Sequence, residues 1–291
     1  MTDERNTLEH VLVDDRRLGY AEYGAAEGRA LFYFHGFPGS RLEGVLADGA
    51  AARLGIRLIA VDRPGYGRSD DLPGRRLGDW PADVAALADA LGLKRFGILG
   101  VSGGAPFALA CAAALPERVE LLSLVCPLGP LGEPELSRRL PWPMRGALLL
   151  SHRFPGFSRW LGDRLLRLAC RYPEGVLRAL LLAASPQDRA LFRDVGVFSA
   201  MVQSLREALA QKGRGVIADM AIYHGAWGFP LSELDLPVRL WHGAEDRTVP
   251  RVLVDHLAAS LPHCRSRLIP GEGHFSLPLR HMEDILAEHE R

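Results

Sequence analysis

Three far-separated positions carry residue types that could form a nucleophilic relay. Ser102 stands in Gly100-Val101-Ser102-Gly103-Gly104, Asp246 in Gly243-Ala244-Glu245-Asp246-Arg247, and His274 in Gly271-Glu272-Gly273-His274-Phe275. A serine hydroxyl is a weak nucleophile at neutral pH, so it needs a base, and the base needs a third group to fix its tautomer. Histidine suits the second role and a carboxylate the third. Glu245 is chemically able to orient the histidine, but the register of Gly243 and the turn after Asp246 favour Asp246. The oxyanion formed on attack needs backbone donors already aimed at it. The sequence offers the Gly103 N–H, just after the serine, and the Phe37 N–H in His35-Gly36-Phe37-Pro38-Gly39-Ser40. Pro38 has no N–H, and a cis Phe37–Pro38 peptide would supply the bend that turns Phe37 inward. His35 reads as a support for this loop and not as a base.

These loops are useful only if regular elements bring them together. Short β-branched or aromatic runs at 30–34, 56–61, 95–100, 119–126, 237–242 and 265–269 predict strands, several of them apolar throughout and so covered on both faces. Residues 8–14 and 17–23 read as an antiparallel opening pair turning at Asp15 and Arg16. Helices are expected at 41–54, 78–92, 103–115, 250–261 and about 279–290, an alternation that predicts an α/β protein with a mainly parallel eight-stranded sheet flanked by helices. Ser102 then lies on a strand-to-helix turn, where flanking glycines let the backbone bend sharply and expose Oγ. Asp246 and His274 follow the last two strands at their carboxyl ends, where α/β sheets place their sites.

Between Pro127 and about Pro230 the strand signal stops. Helical periodicity broken by prolines takes over, for example at 159–171, 174–184 and 197–211. The organisation expected is a core of 1–127 and 231–291 with an inserted helical segment at 128–230. That insertion holds 13 Arg and one Lys against four Asp and four Glu, a surplus of six positive charges. A solvated arginine-rich surface accounts for it, with attraction of an anionic substrate as the alternative. Phe37, Val101, Trp227 and Phe275 are read as candidate substrate contacts, Trp227 because it stands near the return to the sheet.

Composition narrows the classes. The chain has 291 residues, 48% hydrophobic and 24% charged, with 35 basic and 35 acidic residues. That balance gives no field for binding nucleic acid or an anionic membrane non-specifically, so a small-molecule substrate is the expected partner; oligomeric state is not legible. The polar opening MTDERNTLEH carries no secretory apolar run and no window approaches a membrane span, which reads as a cytoplasmic protein. Four dispersed cysteines lack metal-ligand or disulfide spacing, and neither a metal nor a cofactor is expected.

Taken together, HGFPGS at 35–40, DRPGYGRSD at 62–70, GVSGG at 100–104, GAEDRTVP at 243–250 and GEGH at 271–274 resemble the α/β-hydrolase fold superfamily over nearly the whole chain. The resemblance implies that Ser102, Asp246 and His274 form a catalytic triad, that Phe37 and Gly103 form an oxyanion hole, and that the helical cap shapes the substrate pockets. The H-G-x-P loop is also similar to that of epoxide hydrolases and haloalkane dehalogenases, which place an aspartate where this chain has Ser102, so acyl transfer is favoured over alkyl displacement. Proline iminopeptidases are similar in having a capped fold, but differ at Phe37 and after the serine. The expectation is a serine hydrolase of carboxylic esters. Aminopeptidase or amidase action, carbon–carbon bond hydrolysis, cofactor-free perhydrolysis and a slow-turnover ligand receptor are the alternatives.

Overall fold

A computed structural model describes residues 9–289. Eight strands, β1 (Glu9–Val13), β2 (Arg16–Gly24), β3 (Arg29–Phe34), β4 (Ile56–Val61), β5 (Phe96–Val101), β6 (Val119–Val125), β7 (Val238–Gly243) and β8 (Cys264–Ile269), form one sheet in the order β1-β2-β4-β3-β5-β6-β7-β8. β2 runs antiparallel to both β1 and β4, and every pairing from β4 through β8 is parallel. The opening pair turns at Asp14 and Asp15, one residue earlier than expected, with both residues at positive φ (48° and 63°). A two-residue hairpin turn needs left-handed backbone to follow the strand twist, and aspartate tolerates it where Arg16 does not.

Apolar side chains on both faces explain the parallel strands. One face of the sheet (Phe32, Phe34, Ile98, Leu122, Leu240) packs on α2 (Trp80–Ala90), α3 (Ala105–Ala114) and α11 (Arg251–Ser260) through Val84, Leu87, Phe107, Leu253 and Leu257. The other face (Tyr33, Leu58, Leu99, Val125, Trp241) meets α1 (Asp48–Arg53) and α13 (Met282–Ala287). The helix expected over 41–54 is a 3-10 turn, Arg41–Leu46, followed by α1, and the last expected helix is split into α12 (Ser276–Arg280) and α13.

Between β6 and β7 lie α4 (Pro134–Ser137), α5 (Trp142–Arg153), α6 (Pro155–Arg171), α7 (Pro173–Ala183), α8 (Pro186–Leu191), α9 (Val195–Leu209) and α10 (Arg214–His224). The prolines that interrupt the periodicity are starts: Pro134, Pro155, Pro173 and Pro186 each open a helix, where a missing N–H is harmless. α7 to α9 bury their own cluster around Leu177, Leu181, Phe192, Val202 and Leu205. Leu136, Leu140, Ile222, Tyr223 and Trp227 instead belong to the main core. The insertion thus shares side chains with the sheet at both its ends. Among the described residues no helix is long and apolar enough to cross a membrane.

Candidate active site

β5 delivers Ser102 to the carboxyl edge of the sheet, and the chain turns at once through 102–104 into α3. Ser102 has φ +52°, a strained conformation for a side-chain-bearing residue, costing on the order of 1–3 kcal/mol and held by its surroundings. The flanking glycines are required by crowding: a Cβ on Gly100 would lie 2.8 Å from Ala108 Cβ, and one on Gly104 would lie 2.2 Å from the Phe34 carbonyl oxygen. The Phe37–Pro38 peptide is cis, the geometry expected for the bend at this loop. Phe37 and Gly103 are adjacent, since a Cβ on Gly103 would come within 2.6 Å of Phe37 Cβ. Neither the Phe37 nor the Gly103 N–H donates a hydrogen bond to any described residue.

The loops after β7 and β8 bring the other two residues together. His274 Nδ1 and Asp246 Oδ2 are 2.8 Å apart. The second Asp246 oxygen accepts from the Thr248 and Val249 N–H groups at 2.7 and 2.9 Å, which fixes the carboxylate. Glu245 is exposed and takes no part. Burial would raise the Asp246 carboxyl, but His274, through its charge and its hydrogen bond, outweighs that and holds it below the ordinary range. Burial likewise opposes protonation of His274. Asp246 beside it prevails, with Asp188 and Glu43 adding to the effect, so the imidazole is raised above its ordinary 6.5. His274 makes no hydrogen bond to Ser102 in this structure, and its Nε2 is unengaged among the described residues. Such bonds commonly tighten only around substrate.

Five groups outside the expected set hold these loops. Glu43 is buried and accepts the Gly36 N–H at 3.0 Å and the Tyr33 hydroxyl at 3.2 Å; burial pushes it up to about 6. Arg63, also buried, donates to the His35 and Gly36 carbonyls at 2.7 and 3.0 Å. Asp219 of α10 holds Arg63 at 2.9 Å and accepts from Tyr66 at 2.9 Å and from Arg75. Tyr223, one turn further along α10, donates to the Gly103 carbonyl at 2.9 Å. The loop and the serine turn are therefore tied to the same helix of the insertion. Asp188 of α8 does the equivalent for the histidine loop. Its Oδ2 accepts from the His274 N–H at 3.1 Å, and its Oδ1 from the Phe275 and Ser276 N–H groups at 2.9 and 2.8 Å.

Ser102 and His274 line one cavity of about 470 Å³. Its wall is mostly carbon from Phe37, Val101, Leu177, Leu180, Met201, Leu205 and Phe275, with Glu43, Tyr33, Thr248 and Arg247 as the remaining polar groups. Phe37, Val101 and Phe275 line the cavity. Trp227 does not: it is buried in the main core beside Phe229. An aromatic near the return to the sheet satisfies either environment, and the sequence does not distinguish them. Of the insertion's helices, α7 and α9 supply the lining. Sequence reasoning also missed Glu43, Asp188 and Asp219, each an isolated carboxylate in a helical stretch with nothing local to mark it.

Cys126 Sγ lies with an Asp246 oxygen and a His274 nitrogen, all within 4.8 Å of one another. Burial, and then the charge of Asp246, pushes the Cys126 thiol well up. Metal ligation needs the thiolate, and Asp246 and His274 are already bonded to each other. The donor set suits a hydrogen-bonded relay better than a cation.

Comparison with known proteins identifies the fold family. A family model described as the alpha/beta hydrolase fold matches residues 29–280. The chain is 35% identical over 126 residues to a non-heme chloroperoxidase of Streptomyces lividans, spanning 44% of that protein and using 40% of its own length. It is 27% identical over 231 residues to a 2-hydroxy-6-oxononadienedioate/2-hydroxy-6-oxononatrienedioate hydrolase of Burkholderia vietnamiensis, covering 78% of this chain and 73% of that one. Among solved structures it superposes on an esterase of Exiguobacterium antarcticum with a TM-score of 0.74 at 17% identity, over 98% of this chain and 99% of that one.

Proposed function

Because the chain belongs to the alpha/beta hydrolase fold family, we propose that it is a serine hydrolase of carboxylic esters with a small or medium apolar acyl or alcohol part. Ser102 Oγ attacks the ester carbonyl while His274 Nε2 takes its proton. Asp246 holds His274 Nδ1–H and stabilises the imidazolium. The Phe37 and Gly103 N–H groups receive the oxyanion. His274 returns the proton to the leaving alcohol, and water repeats the sequence on the acyl-enzyme. Helices α4 to α10 act as the cap, with α7 and α9 forming the substrate wall.

One observation carries this reading: the 2.8 Å Asp246–His274 pair shares a cavity with a positive-φ serine flanked by two uncommitted N–H donors. The cavity supports the substrate class. Its volume falls in the range that encloses a small organic molecule, and its predominantly apolar wall suits an apolar acyl chain. The relative from Burkholderia vietnamiensis is named for a dicarboxylate. Here Arg247, exposed, is the sole cation among the described lining residues, and the buried Glu43 would repel a carboxylate near Ser102. An ester of an uncharged acid is therefore favoured over that carbon–carbon bond cleavage.

A panel of p-nitrophenyl esters, from acetate to octanoate, set against aminoacyl-anilides and a vinylogous diketo acid tests the assignment. The expected result is kcat/KM for the best ester at least about 100-fold above the other two classes. Faster turnover of the anilides or of the diketo acid would replace it.

A further inference from the structure

We propose that Asp188, carried by the helical insertion, is a positioning residue for His274: it fixes the loop that presents the imidazole and places a second carboxylate beside it. The inference rests on the serine-hydrolase reading. Asp188 is fully buried, and no described cation pairs with it. A buried carboxylate without a counter-ion is expensive unless its lone pairs are filled. Three consecutive N–H groups, those of His274, Phe275 and Ser276, fill them. Ser185 Oγ in turn accepts the Asp188 N–H at 3.1 Å, holding the start of α8 in place.

The loop is shaped to receive this group. A Cβ on Gly273 would lie 2.2 Å from Ser185 Oγ and 2.4 and 2.6 Å from the Asp188 oxygens, so the glycine next to the histidine lets the insertion come this close. Gly273 also donates to Ser276 Oγ at 2.8 Å, closing the turn. An asparagine would fill the same volume with one acceptor fewer and no charge. What the carboxylate adds is all three bonds together with a negative field on His274 that persists when the imidazolium forms. The other titratable groups facing His274 are Asp246 after β7, His242 on β7, Cys126 at the end of β6 and Glu43 on the 3-10 turn. Asp188 is absent from the cavity lining, so substrate binding should be insensitive to it.

Asp188→Asn is the direct test, with active sites counted by fluorophosphonate titration so that misfolded protein is not scored. Per labelled site, kcat should fall about 10- to 100-fold with KM changed by less than about three-fold. The acid limb of kcat/KM should move to lower pH, because the imidazolium has lost a stabilising charge. A merely structural residue would lower the melting temperature and the labelled fraction and leave the limb in place. Gly273→Ala attacks the same contact from the loop side and decides the matter if Asp188→Asn does not fold; it should also lower kcat per labelled site at little changed KM. Wild-type kcat per site and an unmoved acid limb in the folded variant would overturn the role of Asp188. A wild type that takes up no fluorophosphonate would instead remove the hydrolase reading itself.

Discussion

The inner and outer helices of the insertion come from one stretch of sequence and meet opposite surroundings. In α8 to α10 the carboxylates turn inward: Asp188 onto the histidine loop, Asp219 onto Arg63, and Glu207 onto the buried Arg41 at 2.8 Å, which also pairs with Asp62 at 2.5 Å. In α5 and α6 many large apolar residues turn outward, although Met144, Leu166 and Ala169 pack against the clusters beneath. Trp142, Phe157, Trp160, Leu165 and Leu168 are each at least half exposed, and Arg145, Arg153, Arg159, Arg164, Arg167 and Arg171 have no carboxylate partner among the described residues. In this insertion the carboxylates that reach the site, Asp188 and Asp219, are the buried ones. The inner helices complete the site, whereas among the described residues α5 and α6 supply nothing to the cavity wall.

Substitutions on the two sides should separate sharply. Asp219→Ala leaves Arg63 and Arg75 buried without their carboxylate, a change expected to destabilise by about 3–5 kcal/mol. It should also slow turnover, because Arg63 holds the carbonyls beside Phe37. Denaturant unfolding with a parallel ester assay measures both, and a loss below about 1 kcal/mol would erase the contrast. The second effect concerns pH. His274 must be neutral to accept the Ser102 proton, and its neighbours raise its pKa. Activity should therefore fall as pH drops through a value above the ordinary 6.5, and a kcat/KM limb at or below 6.5 would show that the surrounding carboxylates do not act on the imidazole. Smallest is the outer side: Leu168→Gln should change stability by no more than about 0.5 kcal/mol and leave kcat/KM on a neutral ester within about two-fold. A large loss there would mean that α6 is part of the working site.

The sequence made the sheet and its loops legible because both are written locally. Apolar runs fix β3 to β7, and Gly100, Gly103 and Gly104 mark a turn that only small residues permit. Phe37 next to Pro38, and the order Ser102, Asp246, His274, follow from chain direction and strand ends. The partners of the loops were not legible. Asp188 and Asp219 meet groups 86 and 156 residues away, and an isolated carboxylate on a helix reads as a solvated one until the fold closes over it. Trp227 illustrates the reverse error, since a large aromatic suits a core as well as a pocket. The turn at Asp14 and Asp15 was missed by one residue, because hairpin register depends on which residues accept left-handed backbone.

The central claim is that Ser102 is activated by His274 within one relay, and covalent labelling addresses it most directly. Incubation with a fluorophosphonate, followed by intact mass and peptide mapping, should give one adduct per wild-type chain, on Ser102. Ser102→Ala should give none, and His274→Ala should react at least about 10³-fold more slowly. A wild-type chain that stays unmodified, or one modified at another residue, would contradict the account.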